Sequence, residues 1–265
     1  MSRIGIGRGR GHLGPNQESL RTPLRKPNKS IEENLTKHLH RLQLSEAVRE
    51  EILDVVSLVK NTATTEDNLK IAVSKIYEYG LQSKRHAVLA AELCQDLSDF
   101  SVNQNTFRKI LLQKLQSDFT ERERLILNTK SFIGRVNLLC EVFNKVRICN
   151  NSPIECLAFA VIEYFEMLIN GDISEISVLT EQLMKNGRDL ELCAKDSLDN
   201  LFMSVRKRIL DASLNVSCRT LLLVSLEQYL NKWEMIPAEV RTVYAKIYPI
   251  VDSLFNEEMS KNSVN

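Results

Sequence analysis

Residues 65–97 read TEDNLKIAVSKIYEYGLQSKRHAVLAAELCQDL, and their spacing decides the fold class. Leu69, Ala72, Val73, Ile76 and Tyr77 recur at intervals of three and four, and the rhythm resumes at Ala87, Ala90, Ala91, Cys94 and Leu97. An α-helix turns once in about 3.6 residues, so each set forms an apolar stripe on one helix face. A half-buried strand would show strict alternation instead, and no segment sustains it. The stretch therefore predicts two amphipathic helices separated by a polar break.

The same periodicity continues on both sides. Phe107, Ile110, Leu111 and Leu115 form one stripe, and Val136, Leu139, Cys140 and Phe143 another. Leu157, Ala160, Val161, Tyr164 and Leu168 follow, then Leu198, Leu201, Phe202, Val205 and Ile209. The punctuation agrees. Ser152-Pro153-Ile154-Glu155 has the composition of a capping box, and Thr65 and Asp172 stand where a cap oxygen is wanted. Gly80, Gly171 and Gly187 fall at expected helix ends, where a left-handed residue is favoured. The resulting helices are 45–61, 65–80, 83–99, 104–120, 129–148, 153–170, 174–186, 188–211, 216–233 and 238–255. Taken two at a time, they give five units of about 42 residues, close to the ~40–47-residue period of HEAT-type helix hairpins. One hairpin cannot bury its own apolar face, so the expected fold is all-α: a solenoid of stacked antiparallel helix pairs.

Composition changes near residue 30. Five of the nine glycines and three of the six prolines lie in residues 1–30, where the large apolar side chains are few and scattered: Ile4, Ile6, Leu13, Leu20 and Leu24 beside Met1. Such a stretch cannot offset its ordering entropy, so it reads as a disordered arm. It carries seven bases against the single acid Glu18, while the other 235 residues hold 28 bases and 33 acids. The expected organisation is a basic Arg/Gly arm over 1–30, a connecting segment over 31–44, a helical-repeat scaffold over 45–255 and a disordered tail over 256–265.

Charge marks the candidate contact residues. Arg3, Arg8, Arg10, Arg21, Arg25, Lys26 and Lys29 sit on the arm, where guanidinium groups on a flexible backbone would pair with phosphates and stack on unpaired bases. A solubilising tail or a nuclear-import signal explains them equally simply. Arg206, Lys207 and Arg208 lie within one helical turn, but Arg206 and Arg208 point about 160° apart, so a solvated face competes with a phosphate or acidic-partner contact. Tyr77, Tyr164, Tyr229 and Trp233 fall on apolar stripes and read as core.

Catalytic and metal chemistry find no footing in the sequence. None of the four histidines has a nucleophile partner at a recognisable spacing, and His86 reads as part of a solvated helix start. Cys94, Cys140, Cys149, Cys156, Cys193 and Cys218 form no close pair, so they read as reduced, buried thiols, with no metal or cofactor expected. No run approaches the ~18 apolar residues of a membrane span, and the N-terminus lacks a signal peptide's apolar run. A reducing compartment follows, the cytoplasm with the nucleus also open.

Several stretches resemble a known family. FRKILLQKLQSDF (107–119), FIGRVNLLCEVFNK (132–145), LTEQLMKNGRDLE (179–191) and LLLVSLEQYLNKW (221–233) are similar, in order and spacing, to the middle domain of eukaryotic translation initiation factor 4 gamma. Arg135 stands where that family usually has an acid, Arg188 replaces a Lys, and the last helix pair keeps only Arg219 and Trp233 of an arginine-rich pattern. The likeness is nearest to stand-alone members, such as the adaptor joining the histone mRNA stem-loop-binding protein to translation and the nuclear cap-complex-dependent initiation factor. It implies a non-enzymatic adaptor whose solenoid surface takes translation factors, a DEAD-box helicase or an mRNA-binding protein, with mRNA on the arm and a homodimer left open. The alternatives are a helical-repeat interaction scaffold with no RNA role and, more remotely, an all-helical enzyme.

Overall fold

The computed structural model describes residues 29–44 and 47–255. The expected arm, apart from its last two residues, and the expected tail lie outside the described residues. Within them the chain is helical almost throughout, as the periodicity requires. The helices run α1 (Lys29–Leu44), α2 (Val48–Thr62), α3 (Glu66–Gly80), α4 (Lys84–Leu97), α5 (Phe107–Thr120) and α6 (Arg122–Leu125). Then come α7 (Thr129–Lys145), α8 (Glu155–Leu168), α9 (Ile173–Ile209), α10 (Val216–Leu230) and α11 (Ala238–Ile247), with a further helical stretch over residues 250–255. Ser101–Val102 and Asn105–Thr106 pair as a two-residue hairpin, turned by Asn103 at φ 55°.

The segment 31–44 is not a connection. Ile31, Leu35, Leu39 and Leu42, spaced four, four and three apart, are all buried, so α1 supplies a full amphipathic helix to the core. Counting it shifts every pairing by one. α1 pairs with α2, α3 with α4, α8 with the first half of α9, and the second half of α9 with α10, while α5 is joined to α7 through the Asp118–Arg135 pair. The five-unit solenoid stands, but its hairpins begin one helix earlier.

The break inside α9 also falls elsewhere than expected. Ala194 has non-helical dihedrals (φ −148°, ψ 51°), and the chain turns back there. On its N-terminal side, Thr180 bonds to Leu221 and Glu191 to Trp233, so that half runs alongside α10 in the same direction. Beyond the break, Asp199 meets Tyr229 and the Asp211 carbonyl meets Arg219, the opposite sense. Gly187 lies buried inside the first half, without a left-handed φ. Its missing Cβ is what counts: atoms of the Trp233 ring stand where one would be built. Gly80 serves similarly, since a Cβ there would meet Leu138 at 2.7 Å and Ala90 at 2.8 Å.

Caps explain where the helices start. Thr65 accepts from Asn68, Thr106 from Lys109 and Asn215 from Cys218. The capping box forms at Asp172 and Glu175, not at Ser152. Arg147 and Pro153 form an isolated bridge, and the Ser152 carbonyl accepts from Ile148. Ser152 is thereby held in the loop, and α8 starts behind Ile154 without a side-chain cap.

Candidate functional site

The second helices of successive pairs, α2, α4, α7, the first half of α9 and α10, are tied edge to edge by polar bridges. Arg49 meets Asp96 at 2.8 Å between α2 and α4, and Lys145 meets Glu92 at 3.4 Å between α4 and α7. Arg147, at the end of α7, donates its backbone N–H to Gln95 (2.9 Å) and pairs with Asp189 on α9 at 2.7 Å. Lys84 reaches from α4 to Glu181 on α9 at 2.9 Å, linking helices on either side of α7. Arg188 and Glu234, then Lys232 and Glu191, continue the series to the end of α10. Exposed pairs of this kind contribute only about 0–1 kcal/mol each. Their order along the row fixes the relative placement of five helices, which is what a docking surface needs.

Between α7 and α9 the row has a buried polar centre. Glu141 is 1% exposed and pairs with Lys185. Gln182, fully buried, donates to Glu141 Oε1 and to Asn137 Oδ1, both at 3.3 Å. Asn186 donates in turn to the Gln182 carbonyl oxygen and side-chain oxygen. An isolated buried carboxylate would be costly, and these partners offset much of that cost. Arg135, the departure from the family pattern, points elsewhere. It pairs with Asp118 on α5 at 2.8 Å, and Asp118 also accepts from the Tyr77 hydroxyl at 2.6 Å. Burial, then the Asp118 charge, raises the Tyr77 pKa, so this phenol serves as a fixed donor.

At the C-terminal end the joint is aromatic. Phe202 stacks on Tyr229 with centroids 4.1 Å apart, and Trp233 lies 6.0 Å from each ring. The Trp233 indole N–H donates to Glu191 at 2.7 Å. Lys232 and Trp233 both take left-handed backbone (φ 55° and 62°), a conformation costly for bulky residues, held by the ring's seat on Gly187.

The sequence-predicted contact residues do not form one patch. Arg3, Arg8, Arg10, Arg21, Arg25 and Lys26 lie outside the described residues, and Lys29 opens α1. Arg206 donates to the Phe202 carbonyl at 3.2 Å and lies over the Tyr229 ring. Arg208 pairs with Asp211, whose carboxyl the Ser213 hydroxyl holds below its usual range. Lys207 is the exposed member of the run, at the mouth of a shallow cleft with Glu166 and Ser204. Burial holds the Glu166 carboxyl above its ordinary range, opposed by the Ser204 hydroxyl.

Two readings of single residues change. His86 is buried, not solvated: its ring packs edge-on against Tyr79, and Nδ1 lies 2.6 Å from the Ser83 hydroxyl that caps α4. Burial, then Arg85, lowers its pKa. Among the cysteines, Cys94, Cys140 and Cys218 are buried as expected, whereas Cys156 is exposed and Cys193 half-buried. The side chain of Cys149 lies outside what is described. Of the aromatic residues read as core, Tyr77, Tyr164 and Trp233 are buried and Tyr229 half-buried. No group of three His, Cys, Asp or Glu among the described residues could hold a metal ion. No helix among them is long and apolar enough to cross a membrane.

Most of the chain is similar to known proteins. A CBP80/20-dependent translation initiation factor from Xenopus tropicalis is 30% identical over 191 residues, covering 71% of this chain and 33% of that protein. MIF4G domain-containing proteins from Xenopus tropicalis and Bos taurus are 27% and 26% identical over 206 and 189 residues. The matches cover 73% and 68% of this chain and 92% and 85% of those proteins. The chain belongs to the MIF4G-domain family. The resemblance to the middle domain of initiation factor 4 gamma is thereby borne out. No protein-family model matches the chain. The chain spans about a third of the frog initiation factor's length but most of the two MIF4G domain-containing proteins. The polar centre between α7 and α9 escaped the sequence reading, because Glu141 and Lys185 lie 44 residues apart and each looks like an ordinary helix-surface charge.

Proposed function

We propose that this chain is a non-enzymatic adaptor in mRNA translation, holding RNA-associated proteins on its solenoid surface. The observation that carries the reading is the coincidence of two facts. The matched relatives include a protein named a translation initiation factor, and most of this chain aligns with it. The described chain is an all-helical stack whose second helices are tied in order by cross-bridges. A rigid, extended row of helices holds two partners at once and raises their effective concentration. The partner classes that fit are an initiation factor, a DEAD-box helicase or an mRNA-binding protein, working in the cytoplasm or nucleus. Within the 206–208 run, Lys207 is the side chain left for an acidic partner, since Arg206 and Arg208 already have local contacts. The seven bases of residues 1–30 supply the RNA contact.

Affinity purification of the full chain with and without RNase tests this reading. Translation factors or a helicase should remain bound after RNase treatment. Deleting residues 1–28 should leave that protein set unchanged while reducing RNA crosslinking and flattening its salt dependence. Recovery of partners unrelated to mRNA would favour the plain interaction scaffold.

A further inference from the structure

α8 presents an aromatic ring on its outer face. Phe159 is 52% exposed, and the exposed Glu155 and Glu163 stand about one turn before and one turn after it. Residues four apart on a helix lie about 6 Å apart along its axis and about 40° apart around it, so these three share one side. On the opposite row of helices the carboxylates are taken: Glu92, Asp96, Glu181 and Asp189 each hold a cation. Among the described residues no ion pair reaches Glu155 or Glu163. The second half of α9 lies beside α8, with Ser204 bonded to Glu166, and adds Met203, 51% exposed. Lys207 closes that end of the face.

The chain's own first residues match this face. Arg3-Ile4-Gly5-Ile6-Gly7-Arg8-Gly9-Arg10-Gly11 alternates side chain and glycine after Arg3. Extended backbone turns successive side chains to opposite sides, so an extended strand here would set Ile4, Ile6, Arg8 and Arg10 on one side and only glycine on the other. Those side chains would repeat every ~6.6–6.8 Å, close to the ~6 Å between successive members of the α8 line. A guanidinium group over Phe159 with a carboxylate on either hand combines a cation–π contact with an ion pair. Lys207 repels cations from its end of the face, which puts the arginines by Glu155 and Glu163 and the isoleucines towards Met203. Reach is ample. Lys29, the first residue of α1, stands nineteen residues on from Arg10, a contour of up to about 65 Å. α8 follows α1, α3 and α5 in its row, so at the 8–10 Å spacing of packed helices the span is roughly 30 Å. A tether of that length gives an effective concentration on the order of 1 mM, so a contact weak between separate molecules suffices. Residues 256–265, with Glu257 and Glu258 against Lys261, carry the wrong sign for this face.

We infer that residues 3–10 dock in extended form on the outer face of their own chain's α8, with Arg8 and Arg10 around Phe159 between Glu155 and Glu163. The docked arginines are withheld from RNA, so docking and RNA binding exclude one another, a consequence that rests on the RNA contact proposed above.

Replacing Phe159 in the full chain with the photoreactive p-benzoylphenylalanine keeps an aromatic ring there and reports its neighbours. Irradiation should join position 159 to residues 3–10 within one chain, read by mass spectrometry. Arg8→Glu with Arg10→Glu should cut that yield at least fivefold without changing the melting temperature. Adding Glu155→Arg and Glu163→Arg to those two should restore at least half of it, which a purely structural effect would not do. If the photoreactive residue lowers the melting temperature, a benzophenone carried on the exposed thiol of Cys156, about one turn before Phe159, gives the same reading. Absence of a crosslink to residues 3–10, one formed only between two chains, or a yield indifferent to the charge swap would overturn the inference. A uridine oligonucleotide should displace the crosslink. Glu155→Gln with Glu163→Gln should tighten its binding at least threefold in the full chain, but not in the chain lacking residues 1–28. If the crosslink forms and passes the charge swap while the oligonucleotide neither binds nor displaces it, docking stands and the RNA contact falls.

Discussion

The α7–α9 joint and the α9–α10 joint are consecutive in the same row of helices, yet they hold by different chemistry. The first is polar at its centre: a buried carboxylate, an ammonium and three amides bond to one another, with the Asn186 side-chain oxygen left unpartnered, and removing one member strands the others. The second is a matter of shape, a tryptophan ring seated on a helix that has no side chain at Gly187. The difference teaches that a solenoid's repeats need share only their periodicity. The first joint depends on a chain of buried hydrogen bonds, the second on one absent methyl group.

Substitutions separate the two. Trp233→Ala should be the most damaging, at roughly 3–5 kcal/mol, because it empties the aromatic cluster and frees Glu191; chemical denaturation should show it as a lowered midpoint. Lys185→Met should cost about 3 kcal/mol by leaving Glu141 buried and unpaired. Restoring balance with Glu141→Leu beside Lys185→Met should recover at least half of that loss, and no recovery would mean the pair is not the joint's centre. Gly187→Ala should cost about 1–3 kcal/mol through overpacking against the Trp233 ring, despite alanine's better helix propensity. In a Trp233→Ala background the same change should become neutral or favourable. Smallest, Arg188→Ala should move stability by less than about 1 kcal/mol, since its pair with Glu234 is largely exposed.

Much of this fold was legible because helix periodicity and short breaks are local signals. α3, α4 and α10 lie within three residues of where their apolar spacing places them. α1 was overlooked although Ile31, Leu35, Leu39 and Leu42 keep helical spacing, because polar residues and the adjoining arm dilute the pattern. Gly187 and Ser152 misled in the same way. Each is a residue type that ends or starts helices, but here a ring seats on one and a loop bridge engages the carbonyl of the other. The candidate site was less legible still. The pairs that order the second helices join residues more than 40 positions apart, and the 206–208 run is divided by contacts with Phe202, Tyr229 and Asp211 that sequence proximity does not reveal.

The central claim is that this helical body acts by holding translation partners rather than by catalysis. It is tested most directly by tethering residues 29–265 to an untranslated region of a reporter mRNA and measuring protein output per message. The account predicts increased output that is retained when message level is held constant, and lost when Lys207 and neighbouring exposed residues are substituted without change in melting temperature. Output no different from that of an inert tethered protein would contradict it.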